Sequence, residues 1–159
     1  MKFFYIVPLL FSSFTFAEEF SLICEGKREL RSFNSKEINF IDFESVRLKI
    51  KKESMEYIGI NSGRRYIFMN KEYTAPKKAP HEDIMIKERY EFTPKTIKAS
   101  QIITDSGNSE ESSISLFSLN IDRFTGKLKE VESISNKKTH QKSIENNFQA
   151  LCKSENRSL

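Results

Sequence analysis

Several residues in this chain are of types that could do chemistry. Asp42 and Glu44 stand two positions apart. On a strand, residues so spaced share a face, and two carboxylates in one cleft can divide the roles of general acid and general base. The same spacing also describes an ordinary exposed strand face, which is the plainer assignment. His81 is followed by Glu82 and Asp83, a triplet with nitrogen and oxygen donors for a metal. Neighbouring side chains on extended backbone diverge, however, and no other His or Cys is spaced to complete a zinc site. The second histidine, His140, lies in a polar stretch. No serine occupies a G-x-S-x-G elbow. The five glycines, at 26, 59, 63, 107 and 126, form neither a phosphate-binding loop nor a dinucleotide fingerprint. The expectation is therefore no catalytic residue, no metal ligand and no cofactor. A small hydrolase built on Asp42, Glu44 or a histidine is the weakest functional class.

The two cysteines, Cys24 and Cys152, sit near opposite ends. Two lone cysteines in an oxidising compartment pair, and this bridge would close a loop of about 130 residues, for which chain entropy gives roughly 5 kcal/mol. Two buried free thiols are the competing reading. The compartment follows from the start of the chain. Lys2 precedes an apolar run from Phe3 to Phe11, and Thr15 and Ala17 supply the smaller residues that a signal peptidase accepts ahead of Glu18. That run falls well short of the ~20 residues that span a bilayer as a helix. Residues 1–17 are thus read as a cleavable signal peptide and residues 18–159 as one β-rich domain, periplasmic or secreted, with no stable membrane anchor. Cleavage takes one lysine and no acid from a net charge of +4. The remaining basic pairs, such as Arg64-Arg65 and Lys137-Lys138, are interleaved with acids and form no stripe of the kind nucleic-acid binders carry.

The elements that would position these residues are strands. Val46-Arg47-Leu48-Lys49-Ile50-Lys51 alternates apolar and basic, and residues 54–70 read as a hairpin turning at Asn61-Ser62-Gly63. Ile84 to Phe92 and Thr96 to Thr104 give two more strands. Residues 113–134 form a second hairpin around Asp122-Arg123-Phe124-Thr125-Gly126, where Asp122 should cap the turn and Arg123 should lie along the neighbouring strand. The apolar phase changes between Leu116 and Phe117, which fits either a β-bulge or a strand buried on both faces. Residues 74–83, 105–112 and 135–143 read as polar loops. Residues 144–153 fit either a helix, with Ile144, Phe148 and Leu151 on one face, or a strand carrying Cys152. Seven to nine strands joined by hairpins predict an all-β antiparallel meander, a barrel or a sandwich, with a short C-terminal helix as an option.

The segment Ile121-Asp122-Arg123-Phe124-Thr125-Gly126-Lys127-Leu128 resembles the I-D-R-x-T-G-x-L strand–turn–strand motif of small exported bacterial proteins of unknown function. Those proteins also carry an early Cys-x-Gly step, matched by Cys24-Glu25-Gly26, and a late cysteine, matched by Cys152. The resemblance implies an exported β-rich domain and no activity.

Two classes of function remain ahead of the hydrolase. The first is a non-enzymatic module that binds another envelope or extracellular protein through its sheet or its charged loops. The second is a small-ligand carrier on a lipocalin-like barrel, which requires an interior larger than its own side chains fill. The aromatic residues, including Phe20, Phe68, Phe92 and Phe117, either line such a cavity or fill the core.

Overall fold

The computed structural model describes residues 19–33, 38–76, 83–105 and 112–155, with the side chains of 38–41, 73–76 and 83 excepted. The signal-peptide reading of residues 1–17 and the candidate His81 lie outside the described residues. Ten strands follow in chain order: β1 (Glu19–Ser32), β2 (Ile38–Lys51), β3 (Met55–Gly59), β4 (Arg65–Phe68), β5 (Lys71–Pro76), β6 (Asp83–Phe92), β7 (Thr96–Asp105), β8 (Ser113–Asp122), β9 (Lys127–Asn136) and β10 (Lys142–Ser154). They form one antiparallel sheet in the order β4-β3-β2-β1-β10-β9-β8-β7-β6-β5.

Alternation along the strands gives this sheet one apolar face. Directly opposed residues of an antiparallel pair point the same way, so the register carries that face across the sheet: Leu48 opposite Leu22 and Tyr57, Cys24 opposite Cys152, Ala150 opposite Leu128, Leu128 opposite Ile121, and Ile121 opposite Ile97. The sheet curls around it as a half-barrel. At the centre, Tyr57, Tyr66, Phe68 and Phe117 interlock, with ring centroids 5.1 to 5.9 Å apart. The two edge strands, β4 and β5, are consecutive in the chain. Between them Asn70 turns its side-chain amide onto the backbone of Tyr90, donating to its carbonyl and accepting from its N–H. The Tyr90 hydroxyl donates to the carbonyl of Lys51 at 2.7 Å, tying β6 back to the end of β2.

Cys24 and Cys152 form a disulfide between directly opposed residues of β1 and β10, joining the first strand to the last. Gly26, two residues on, faces Ala150. A Cβ on Gly26 would stand 1.9 Å from the Gln149 carbonyl oxygen and 2.5 Å from the Ala150 Cα. The backbones meet there because both residues are small. Gly26→Ala is therefore expected to destabilise the fold by about 1–3 kcal/mol, the usual range for overpacking, read as a lower urea midpoint. An unchanged midpoint would show that β10 can back away freely.

Both predicted hairpins are present. In the first, Gly63 adopts φ 67°. In the second, Asp122 accepts the N–H groups of Phe124 and Thr125, Gly126 adopts φ 68°, and the Gly126 carbonyl accepts the N–H of Cys152 at 2.8 Å. Of the two readings of residues 144–153, the strand is the one observed: they belong to β10, where pairing with β1 and β9 turns Asn146, Phe148 and Ala150 inward at period two and leaves Leu151 exposed. Other expectations need correction. There is no bulge at Leu116–Phe117. Strand β8 keeps an unbroken register with both neighbours, Leu116 facing outward and Phe117 inward; the register shifts fall at Leu30–Arg31 and between Lys142 and Ile144. The strands number ten rather than seven to nine, because β5 takes in Thr74–Pro76 and the last strand runs the length of the tail. The 135–143 loop shrinks to a tight turn in which His140, at φ 57°, donates its N–H to the Asn136 carbonyl. Most of the 74–83 and 105–112 loops lies outside the described residues.

Candidate functional site: an apolar pocket at the Cys152 end

The inward face carries two features that apolar packing alone does not explain. The first is a buried ionic cluster. Arg28, Glu44, Glu130 and Asn146 come from β1, β2, β9 and β10, and each lies in phase with the apolar residues of its own strand. The Arg28 guanidinium donates to Glu44, to Glu130 at 2.8 Å, to Asn146 at 3.1 Å and to the Tyr57 hydroxyl at 3.0 Å, and stacks over Phe148 at 4.7 Å. Glu44 is also reached by the Ser62 hydroxyl at 2.7 Å. Burial by itself would favour loss of the Arg28 proton, but the hydrogen bond and charge of Glu130 outweigh it and hold the guanidinium above its ordinary range. Tyr57 is raised by burial, with the charge of Glu130 adding to it.

Glu130 is fully buried, and one of its carboxylate oxygens takes no hydrogen bond among the described residues. Burial raises its pKa above the ordinary 4.5, and Arg28 only partly offsets that. One cation thus serves two buried carboxylates. The sign follows: the folded state holds the Glu130 proton to higher pH than the unfolded chain does. The resulting stabilisation is present below about pH 4.5 and is lost as pH rises through the folded pKa. Glu130→Gln, which keeps a neutral group of the same shape, should remove this loss, so its advantage over the wild type in urea titrations grows with pH above 4.5 and then levels off. A difference independent of pH would mean that Glu130 is ionised throughout.

The second feature is a pocket of about 930 Å³ at the Cys152 end of the curled face. Ile50, Ile97 and Ile121, buried to 1% exposure or less, form its floor, and the half-buried Phe20, Leu22 and Phe92 form its walls, the two rings 6.2 Å apart. The β8–β9 turn supplies one side of the rim: Asp122, Arg123, Phe124, Thr125 and Gly126. Lys51, the last residue of β2, and Lys52 just after it supply another. Arg123 lies over the Phe92 ring at 4.6 Å and over Phe20 at 6.0 Å, and donates to the Thr93 carbonyl at 2.8 Å. Its stem thus runs along the neighbouring strand end as expected. Phe124 at the turn tip is 78% exposed.

The structure does not bring the predicted acid–base pair together. Asp42 accepts the N–H of Phe43 at the surface, whereas Glu44 is locked to Arg28 and Ser62 inside. Asp122 is held below the usual carboxylate range by the turn amides, Thr125 first, and caps the turn as predicted. His140 is exposed at its turn. Sequence reasoning missed the ionic cluster and the pocket rim. The signal for the first was present: Arg28 keeps the phase of Phe20, Leu22 and Cys24, and Glu44 that of Val46, Leu48 and Ile50. The rim had no such signal, because its residues come from strands far apart in the chain. No protein-family model, curated protein or solved structure matches this chain.

Proposed function

We propose that this is an exported, non-enzymatic binding protein that carries a small, mainly apolar ligand in the pocket at the Cys152 end of its sheet. The supporting observation is the pocket itself. Its volume of about 930 Å³ falls in the roughly 300–1,000 Å³ range of small-molecule sites, and its apolar lining with a few polar groups at one side is the composition such sites take. The middle of the same face is packed solid with aromatic rings and the Arg28 cluster, so the ligand would occupy one end of the trough and not its length. The disulfide suits an oxidising compartment, and the signal-like N-terminal segment suits a periplasmic or secreted location. The competing reading, a module that binds a protein partner through its sheet or its charged loops, draws less support from the loops, because the one of the three that is described throughout is a tight turn.

Titration with N-phenyl-1-naphthylamine, an uncharged apolar fluorophore, tests the reading. One dye should bind per chain with enhanced fluorescence, and Leu22→Gln should weaken binding at least about tenfold by placing an unsatisfied amide in the wall. No binding to the folded, oxidised protein would overturn the carrier reading.

A further inference from the structure

We infer that the ligand is a single-chain amphiphile with an anionic head, a free long-chain carboxylic acid, whose head group sits between Arg123 and the Lys51–Lys52 pair. This rests on the carrier reading and adds the charge of the ligand. The pocket is apolar at its floor and walls, and its cations are confined to the rim. Arg123 is placed at the boundary, its guanidinium over the two wall rings, Phe92 and Phe20. It spends one nitrogen on the Thr93 carbonyl, and among the described residues no carboxylate pairs with it. A guanidinium has five N–H donors in a planar fork that matches a carboxylate, so this one keeps donors available. Lys52 likewise has no acidic partner among the described residues, and Lys51 is shared with Glu19 at 3.3 Å, both side chains being about half exposed.

The acid nearest the rim does not cancel this charge. The Asp122 carboxylate is turned into the β8–β9 turn and satisfied by the amides of Phe124 and Thr125. A neutral apolar ligand would leave the spare Arg123 donors and the Lys52 ammonium without an acceptor. A long-chain carboxylate satisfies them and fills the pocket with its chain.

The experiment compares cis-parinaric acid with its methyl ester, two polyene probes of the same chain, on the oxidised protein. The acid is expected to bind at least about tenfold more tightly than the ester, the discrimination a charge-assisted hydrogen bond supplies, and the margin should shrink with added salt. Arg123→Met, which keeps the stem over the rings, and Lys51→Gln/Lys52→Gln, which alters only exposed side chains, should each reduce the margin, lowering acid affinity by a larger factor than ester affinity. Equal binding of acid and ester would overturn the anionic-head inference and leave the carrier reading standing; binding of neither probe would overturn both. Co-sedimentation with phosphatidylglycerol vesicles, in preference to binding of the free acid, would assign the rim to a membrane surface and overturn the inference as stated.

Discussion

Replacing Arg28 with methionine is expected to cost about 3–5 kcal/mol of stability, the range seen when one partner of a buried ion pair is removed. Methionine fills much of the volume and keeps an apolar contact with Phe148, so packing is not the main loss. What is lost is the one cation for two buried carboxylates, Glu44 and Glu130, and the donor to Asn146 and Tyr57. Against a total stability of about 5–15 kcal/mol typical of such chains, the loss is large enough to lower the urea midpoint sharply. Two further measurements separate electrostatics from packing. Lowering the pH should restore part of the loss as the stranded Glu130 takes up a proton. Arg28→Met/Glu130→Gln should be more stable than Arg28→Met alone. If the effects of the two substitutions simply add in urea titrations, the cluster is not coupled in the way its geometry indicates.

The second large effect belongs to the disulfide. Its ends are 128 residues apart in sequence, and the chain-entropy model gives roughly 5 kcal/mol for a loop of that length. Cys24 is fully buried in the core, so Cys24→Ala/Cys152→Ala also loses some packing. The double variant is expected to melt on the order of 15 °C lower, by the usual relation between stability and melting temperature at this size. Its urea dependence should steepen, because an unfolded chain without the cross-link exposes more surface. An unchanged slope with a lowered midpoint would place the effect in the folded state and not in the unfolded chain.

The parts of this fold that were legible in the sequence are those decided by local chemistry. Asn61-Ser62-Gly63 and Asp122 to Gly126 carry their turn types in their residues, and the strands beside them alternate cleanly. The pairing of Cys24 with Cys152 was legible because no other cysteine competes. The tail was not. Ile144, Phe148 and Leu151 match a helical face by coincidence, and of the three only Phe148 is buried in the strand that forms. Pairing with β1 and β9 decides that segment, and pairing is not written in any window of ten residues. Leu116 and Phe117 misled for a related reason. A phase change signals a bulge when one face is wet, whereas here Leu116 sits half-covered on the outer face and the strand remains regular. For the pocket, Phe20, Phe92 and Arg123 each read as ordinary residues in isolation. Only the register of the whole sheet places one guanidinium over two rings contributed by β1 and β6.

The strand order has a consequence for how the chain assembles. Read as β4-β3-β2-β1 and β10-β9-β8-β7-β6-β5, the sheet is two nearest-neighbour meanders, each contiguous in the chain and each of low contact order. They are joined along a single seam, β1 against β10. The seam needs residues 142–154, which are synthesised after β1 to β9, so a nascent chain without them exposes the unpaired edge of β1. Non-local strand pairing of this kind is slow to form, and open edges are where chains associate with one another. The interval between synthesis of β1 and arrival of β10 is therefore when this protein is most open to pairing with a second copy of itself.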